Sequence, residues 1–187
     1  MIFDLIRGLV KIMRVFVAVP ISNELQGKIL EWEKFFPDLS VRWLLGKNLH
    51  ITLVPPWEEN NVEGVKNLLE KVENPAPFEA EFNDVSFGPN PKSPRLIWAS
   101  GNAPREMVNL KNNVEKVLEI NPENRPYKLH LTLARFKLED FRNFSIKNLN
   151  EKVLWKERVD SFVLMESRLS RAGADYETIF KKKFYDH

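Results

Sequence analysis

The sequence contains no cysteine, which excludes disulfide bonds, thiolate zinc sites and cysteine nucleophiles and favours a reducing compartment. It has no strong excess of one charge either, because 28 basic and 26 acidic residues leave a net charge of +2. A protein that coats nucleic acid would be far more basic. Histidines are also scarce, at three in 187 residues. We therefore expect a cytoplasmic protein that tolerates a polyanionic ligand without requiring one.

The composition is that of a folded globular protein, with 43% hydrophobic and 29% charged residues and no low-complexity tract. A chain of this length fits one domain or two closely packed lobes. It should bury roughly 70% of the surface that its unfolded form exposes. The sequence can therefore build a sizeable core.

The first twelve residues form a separate apolar segment. Apolar side chains recur there at helical spacing, at Ile2, Leu5, Ile6, Leu9 and Val10. The segment is shorter than the roughly 20 residues that span a bilayer and has no signal-peptide cleavage site. It is interpreted as a docked surface helix or as an appendage before a translation start at Met13, with a membrane anchor as a third reading. We predict an N-terminal extension over residues 1–13 and a single domain over 14–187.

Downstream of residue 13 the pattern alternates between strands and helices. Residues 14–19 predict a strand, and Ser22 then caps a helix that Pro37 ends. A short extended piece over 41–44 follows. Further helices are predicted over 62–72 and 107–118, and a hairpin is predicted around the loop "GPNPKSP". Residues 140–150 look irregular, and "VDSFVLMES" and "YETIFKKKF" predict two final strands.

Two nearly identical stretches, "LHITL" at 49–53 and "LHLTL" at 129–133, contain two of the three histidines. Side chains in a strand alternate between its faces. His50 and Thr52 should therefore share one face of their strand, as should His130 and Thr132, with leucine and isoleucine anchoring the opposite faces. A single copy would fit a half-buried histidine, but two copies that each include a threonine indicate a site.

Paired imidazoles can act as base and acid at the same neutral pH, and threonine hydroxyls suit an anionic oxygen. The four side chains therefore fit acid and base catalysis at a phosphodiester, with the rate rising and falling around near-neutral pH. No histidine or carboxylate cluster shows the spacing of a metal site, so no metal is expected.

At these motifs the sequence resembles the two-histidine phosphoesterase superfamily, and within it the RNA 2',3'-cyclic phosphodiesterases historically called 2'-5' RNA ligases. The start "RVFVAVPIS", the "HLTLAR" at 130–135 and the "FVLMESRLSRAGADY" near the end carry the resemblance, which covers 14–184. The sequence departs from the family's usual pattern at two places, which bear on loop shape and substrate preference. "VPPW" follows the first motif where relatives commonly have a longer glycine-containing turn, and Leu129 stands where proline is usual.

The resemblance implies an α+β, bilobal fold of two pseudo-symmetric lobes, each an antiparallel sheet backed by helices, with a central active-site cleft. It implies metal-independent hydrolysis of RNA 2',3'-cyclic phosphate ends to 2'-phosphates without a cofactor. His50 matches the family's proton donor and His130 its proton acceptor, with Thr52 and Thr132 binding the phosphate. The expected partner is RNA, such as tRNA fragments or short oligonucleotides, with no membrane, and the expected state is a monomer.

Several placements and outcomes stay open. Strict alternation puts Arg135 on the face opposite His130 unless a bulge or strand end turns it inward to hold a phosphate. Tyr176 could stack on a base or belong to the core. Scattered cations could line an RNA groove or merely be solvated, at Arg42, Lys47 and Arg95. The same histidines would also serve 2'-5' ligation by the reverse reaction, and a non-catalytic binder of RNA ends or cyclic nucleotides is a third hypothesis.

Overall fold

The computed structural model describes residues 11–170 and 173–185. The predicted N-terminal helix lies almost wholly outside these residues, and residues 11 and 12 precede the first strand without regular structure. In chain order the elements are β1 (Met13–Pro20), α1 (Asn23–Glu33), β2 (Arg42–Trp43), β3 (His50–Glu59), α2 (Val62–Leu69), β4 (Phe78–Gly88), β5 (Leu96–Gly101), α3 (Arg105–Val117), β6 (Leu129–Arg135), α4 (Leu138–Phe141), β7 (Asn150–Val159), β8 (Ser161–Ser170) and β9 (Gly173–Lys183). A 3-10 turn over Gly46–Asn48 leads into β3.

The strands form one antiparallel sheet in the order β7-β4-β5-β6-β3-β1-β8-β9, with the short β2 paired to β6. The two histidine strands, β3 and β6, meet at its centre, where the register gives a single residue pair, Ile51 with Leu131. Each half therefore places its histidine strand innermost. The α+β fold class is confirmed, and the two halves of the sheet correspond to the two predicted lobes.

The chain order explains the pseudo-symmetry of the halves. Along the chain, α1 lies between the strands β1 and β3 of one half, and α3 lies between the strands β5 and β6 of the other. Each helix crosses to the opposite half, since α1 packs on β7 and α3 packs on β3. On α1, Leu25 and Ile29 are fully buried, and the Ser22 hydroxyl accepts a hydrogen bond from the Leu25 amide at 3.2 Å, as the predicted cap requires.

The structure differs from the prediction at the two ends of the stretch predicted to be irregular, residues 140–150. Residues 142–149 form no helix or strand, as predicted, but the short helix α4 runs into the start of the stretch and the strand β7, which no sequence pattern predicted, follows from its end. This strand is at the edge of the sheet, and along it charged side chains face solvent between the buried Trp155, Glu157 and Val159. Charged residues are typical of edge strands, where they oppose pairing with other chains, and they hid the strand from a search for apolar runs.

Helix α1 is about a turn shorter than predicted, ending at Glu33 rather than at Pro37. All nine strands that the structure describes, from β1 to β9, belong to one sheet. The boundary at residue 14 between the N-terminal extension and the domain stays a prediction. No helix in the described ranges is both long and apolar enough to cross a bilayer.

Candidate active site

The register between the histidine strands sets the geometry of the site. Because Ile51 pairs with Leu131 in antiparallel order, His50 stands across from Thr132, and Thr52 stands across from His130. Ile51 and Leu131 point into the core and are fully buried, so the other four side chains share the opposite face. All four line one cleft of about 530 Å³. The predicted alternation in both motifs is confirmed.

A backbone carbonyl two residues upstream orients each imidazole. His50 Nδ1 lies 2.7 Å from the carbonyl oxygen of Asn48, and His130 Nδ1 lies 2.9 Å from that of Lys128. A carbonyl can only accept a hydrogen bond, so each Nδ1 carries a proton and donates it. In both neutral imidazoles Nε2 is therefore the basic nitrogen, and in the charged form it becomes a donor. The proton chemistry of the site resides on two Nε2 atoms.

Aromatic side chains surround His50. The Phe16 ring lies 4.8 Å from the imidazole and the Tyr176 ring 5.1 Å, between ring centroids. Burial is the largest influence and lowers the pKa of His50 to about 4, against an opposing effect of the Asn48 carbonyl, while the charge of Arg135 lowers it further. In the free protein His50 is neutral at pH 7.

His130 has a different flank. The Trp98 ring lies 5.3 Å from the imidazole, and the Lys128 ammonium lies 4.5 Å from the centroid of the same indole. Burial lowers the pKa of His130 from its ordinary value, the Lys128 carbonyl opposes this, and the positive charges of Arg125 and Lys128 add to the lowering. Burial and nearby positive charge thus lower the pKa of both imidazoles and favour their neutral forms.

A β-bulge brings Arg135 to the cleft. In the pairing of β5 with β6, Trp98 faces Thr132 but its neighbour Ile97 faces Ala134, so β6 has one extra residue, Leu133. Leu133 and Ala134 are both fully buried, and the next side chain, Arg135, returns to the histidine face and lines the cleft. Strict alternation therefore fails at this point, and the inward placement of Arg135 is the one that the structure gives.

A second β-bulge follows the first motif. The pairing of β1 with β3 skips a residue between Thr52 and Val54, where Leu53 and Val54 are both buried. Pro55 then lines the cleft as the counterpart of Arg135, five positions after its histidine. The two halves of the cleft differ in charge here, since one has a guanidinium where the other has a proline.

Of the other sequence candidates, Tyr176, Arg42 and Arg95 line the cleft or the cavity beside it, and Lys47 lines neither. Tyr176 contacts His50 edge-on and lines a neighbouring cavity of about 250 Å³, which it shares with Arg42 and Arg135. Arg95 lines the histidine cleft itself. Lys47 is exposed and pairs with Asp175 at 2.7 Å.

Five further side chains that the sequence motifs do not single out line the cleft, namely Trp98, Lys111, Arg125, Tyr127 and Lys128. The Tyr127 hydroxyl donates to the Thr52 carbonyl at 2.9 Å, and Lys111 is buried and paired with Glu115 at 2.5 Å. Lys128 stands two residues before its histidine, as Asn48 does, so the repeat itself offered a signal. The others come from strands and loops whose pairing was needed to find them.

Charge in the cleft favours an anion. One acidic residue, Glu123, lines it against five basic residues, namely Arg95, Lys111, Arg125, Lys128 and Arg135. Two of the five are in ion pairs, Arg125 with Glu123 at 2.9 Å and Lys111 with Glu115 at 2.5 Å, which leaves the cleft positive. Over residues 11–170 and 173–185, no three histidine, aspartate or glutamate side chains come together as a metal site would require.

Comparisons with known proteins agree with this geometry. The family model of the 2'-5' RNA ligase superfamily matches residues 21–171. An RNA 2',3'-cyclic phosphodiesterase of Archaeoglobus fulgidus is 30% identical, with 89% of this chain and 98% of that protein covered. A protein of the same name from Aquifex aeolicus is 25% identical over 94% of this chain and 98% of its own length.

Solved structures show the same fold. E. coli LigT in its apo form gives a TM-score of 0.74 at 23% identity, covering 94% of this chain and 99% of that one. A structure described as a phosphoesterase gives 0.75 at 21% identity, covering 94% and 100%. The resemblance inferred from the two motifs is confirmed, and the chain belongs to the 2'-5' RNA ligase superfamily.

Proposed function

We propose that the protein hydrolyses the 2',3'-cyclic phosphate at the end of an RNA to a 2'-phosphate, using His50 and His130 as acid and base and no metal ion. One observation carries the proposal: two imidazoles on adjoining strands line one cleft, each with Nδ1 held by a carbonyl and Nε2 left for proton exchange. The names of the relatives from A. fulgidus and A. aeolicus support the choice of substrate.

In the proposed reaction a water molecule attacks the cyclic phosphorus. His130 Nε2 accepts a proton from the water as the new P–O bond forms. The P–O3' bond then breaks, and His50 Nε2 donates a proton to the departing O3', leaving the phosphate on O2'. The assignment of donor and acceptor rests on the family resemblance, because the two imidazoles are held in nearly equivalent ways.

The lowered pKa values require the substrate to take part. A proton donor with a pKa of about 4 is almost entirely unprotonated at pH 7 in the free protein. A phosphodiester carries a negative charge, and a nearby anion raises the pKa of an imidazole. Substrate binding is therefore proposed to charge one histidine of the pair, so that the acid forms only when the phosphate is in place.

The neighbouring side chains are proposed to hold the phosphate and the RNA. Thr52 and Thr132 face the histidines across the strand pair and would donate hydrogen bonds to the non-bridging oxygens. The Arg135 guanidinium can donate two parallel, charge-assisted hydrogen bonds to the same oxygens. Tyr176 would shield His50 from water, and Arg95, Arg125 and Lys128 would attract the RNA backbone.

The name of the family favours a second outcome, 2'-5' ligation, in which the 5'-hydroxyl of another RNA attacks the cyclic phosphorus in place of water and O3' leaves, the reverse of cleavage of a 2'-5' linkage. One assay separates the outcomes. An oligonucleotide with a 2',3'-cyclic phosphate end is incubated with the protein in excess chelator, with and without an acceptor RNA with a free 5'-hydroxyl. The proposal predicts a 2'-phosphate product that is insensitive to chelator. A joined product would indicate ligation, and binding without conversion would indicate a non-catalytic protein. Activity restored only by added metal would contradict the mechanism.

A further inference from the structure

Asn48 occupies an unusual position for an amide. It ends the 3-10 turn before the first histidine strand and is only 5% exposed, and no other asparagine or glutamine in the described ranges is as buried. A buried amide is costly unless its oxygen and nitrogen both find hydrogen-bond partners. The contacts of this side chain therefore show what the burial achieves.

Both ends of the amide bind the backbone of β9. Asn48 Oδ1 accepts a hydrogen bond from the Tyr176 amide at 3.2 Å, and Nδ2 donates to the Ala174 carbonyl at 3.4 Å. The carbonyl of the same residue accepts from His50 Nδ1 at 2.7 Å. One residue thus joins the catalytic candidate to a strand more than 120 positions away in sequence.

The strand that Asn48 binds supplies one of the two aromatic rings that cover His50. Tyr176, held through its backbone, places its ring edge-on against the imidazole and also contacts Phe16 at 5.0 Å. At the start of β9, Gly173 has a φ of +119°, which favours glycine, and it lies beside the Arg42 guanidinium. The strand β9 also packs against the 3-10 turn that contains Asn48.

His130 has an equivalent arrangement that uses different residue types. Lys128 supplies the carbonyl for His130 Nδ1, and its ammonium lies over Trp98, whose ring contacts the imidazole. In both halves the residue two positions before the histidine provides the orienting carbonyl and also holds the aromatic cover.

We propose that Asn48 is a positioning residue for His50, acting by fastening the β8–β9 hairpin so that Tyr176 covers the imidazole while the Asn48 carbonyl fixes its tautomer. This inference deepens the proposed function, since it assigns a role in the same site. Loosening the hairpin should admit water and allow the imidazole to reorient. The expected loss is in turnover rather than in substrate binding.

The test measures the His50 imidazole directly, without substrate, so that its result does not depend on the proposed reaction. In Asn48→Ala the pKa of His50 from NMR titration should rise from about 4 toward its ordinary value, since the burial that lowers it is lost. On a cyclic-phosphate substrate, kcat should fall on the order of 10-fold to 10²-fold with KM changed much less.

Lys47→Ala is the matched control. It removes the neighbouring ion pair with Asp175, which joins the same two segments at the surface without contacting His50, and it should leave both readouts unchanged. If Asn48→Ala does not fold, Asn48→Ser, which keeps one hydrogen-bonding group, is measured with the same expected directions. A folded variant with an unchanged pKa of His50 and unchanged kcat would overturn the proposal, as would equal effects from Lys47→Ala.

Discussion

The buried, neutral state of His50 makes the stability of the protein depend on pH in a calculable way. A free histidine has a pKa near 6.5, and burial lowers that of His50 to about 4. Between these values the unfolded chain binds a proton that the folded protein does not, so the free energy of unfolding falls as the pH falls. The full shift corresponds to about 3 kcal/mol, and about 2 kcal/mol of it should be lost between pH 7 and pH 4.5.

The assay is urea unfolding of the wild type and of His50→Gln at several pH values from 7 to 4.5. Other groups titrate in this range, but they are shared by the two proteins, so the difference between the two curves isolates His50. The wild type should lose about 2 kcal/mol more stability than the variant on acidification. Parallel curves, with the difference constant to within about 0.5 kcal/mol, would refute the claim that burial keeps His50 neutral.

Four further outcomes are expected. Arg135→Gln should lower kcat/KM by roughly 10-fold to 10²-fold through loss of a charged hydrogen bond to the phosphate. It should also raise the pKa of His50, which the charge of Arg135 lowers. An unchanged NMR titration of His50 would show that Arg135 does not act at the site. The pH profile of kcat/KM should be bell-shaped with its maximum below pH 6.5, because the pKa values of both histidines are lowered in the free protein. The profile of kcat should peak at a higher pH, because the bound anion raises these pKa values. Coincident maxima would show that the substrate does not shift the histidine pKa values. Thr52→Val and Thr132→Val should each raise KM while leaving the thermal midpoint nearly unchanged, and an unaltered KM in both would exclude phosphate contacts. Deleting residues 1–12 should leave activity nearly unchanged, since the described part of that segment contributes one ion pair, from the exposed Lys11 to the buried Glu166, which Arg168 also pairs. A large fall in melting temperature would show that the segment packs on the body.

The repeated motif was the most informative feature of the sequence, because its consequences are local. Alternation along a strand is fixed by backbone geometry, so the shared face of His50 and Thr52 followed from spacing alone. That the two strands adjoin, with each histidine opposite the other motif's threonine, followed only from the sheet.

Departures from regular geometry were the parts that sequence could not supply. The extra residue at Leu133 reverses the face of Arg135, and nothing in "HLTLAR" marks a bulge. The same irregularity follows the first motif and turns Pro55 inward. Bulges depend on how a neighbouring strand pairs, so a rule that treats each strand alone must miss them.

The remaining site features could not be predicted from the sequence because they depend on contacts between residues far apart in the chain. Asn48 reads as an ordinary turn residue, and its role depends on β9, at the far end of the chain. Trp98 reads as a core aromatic of β5, and only the pairing of β5 with β6 places it beside His130. The desolvation that lowers both histidine pKa values likewise arises from side chains contributed by several strands.

The most direct test of the central claim is the single-turnover rate of cyclic-phosphate hydrolysis in chelator for the wild type, His50→Ala, His130→Ala and the double variant. If the histidines act together as acid and base, each single substitution should lower the rate on the order of 10²-fold to 10⁴-fold, with the fold intact by circular dichroism. The double variant should then be little slower than either single one, because the pair functions as a unit. Substantial activity in either single variant, or losses that simply multiply in the double variant, would contradict the account.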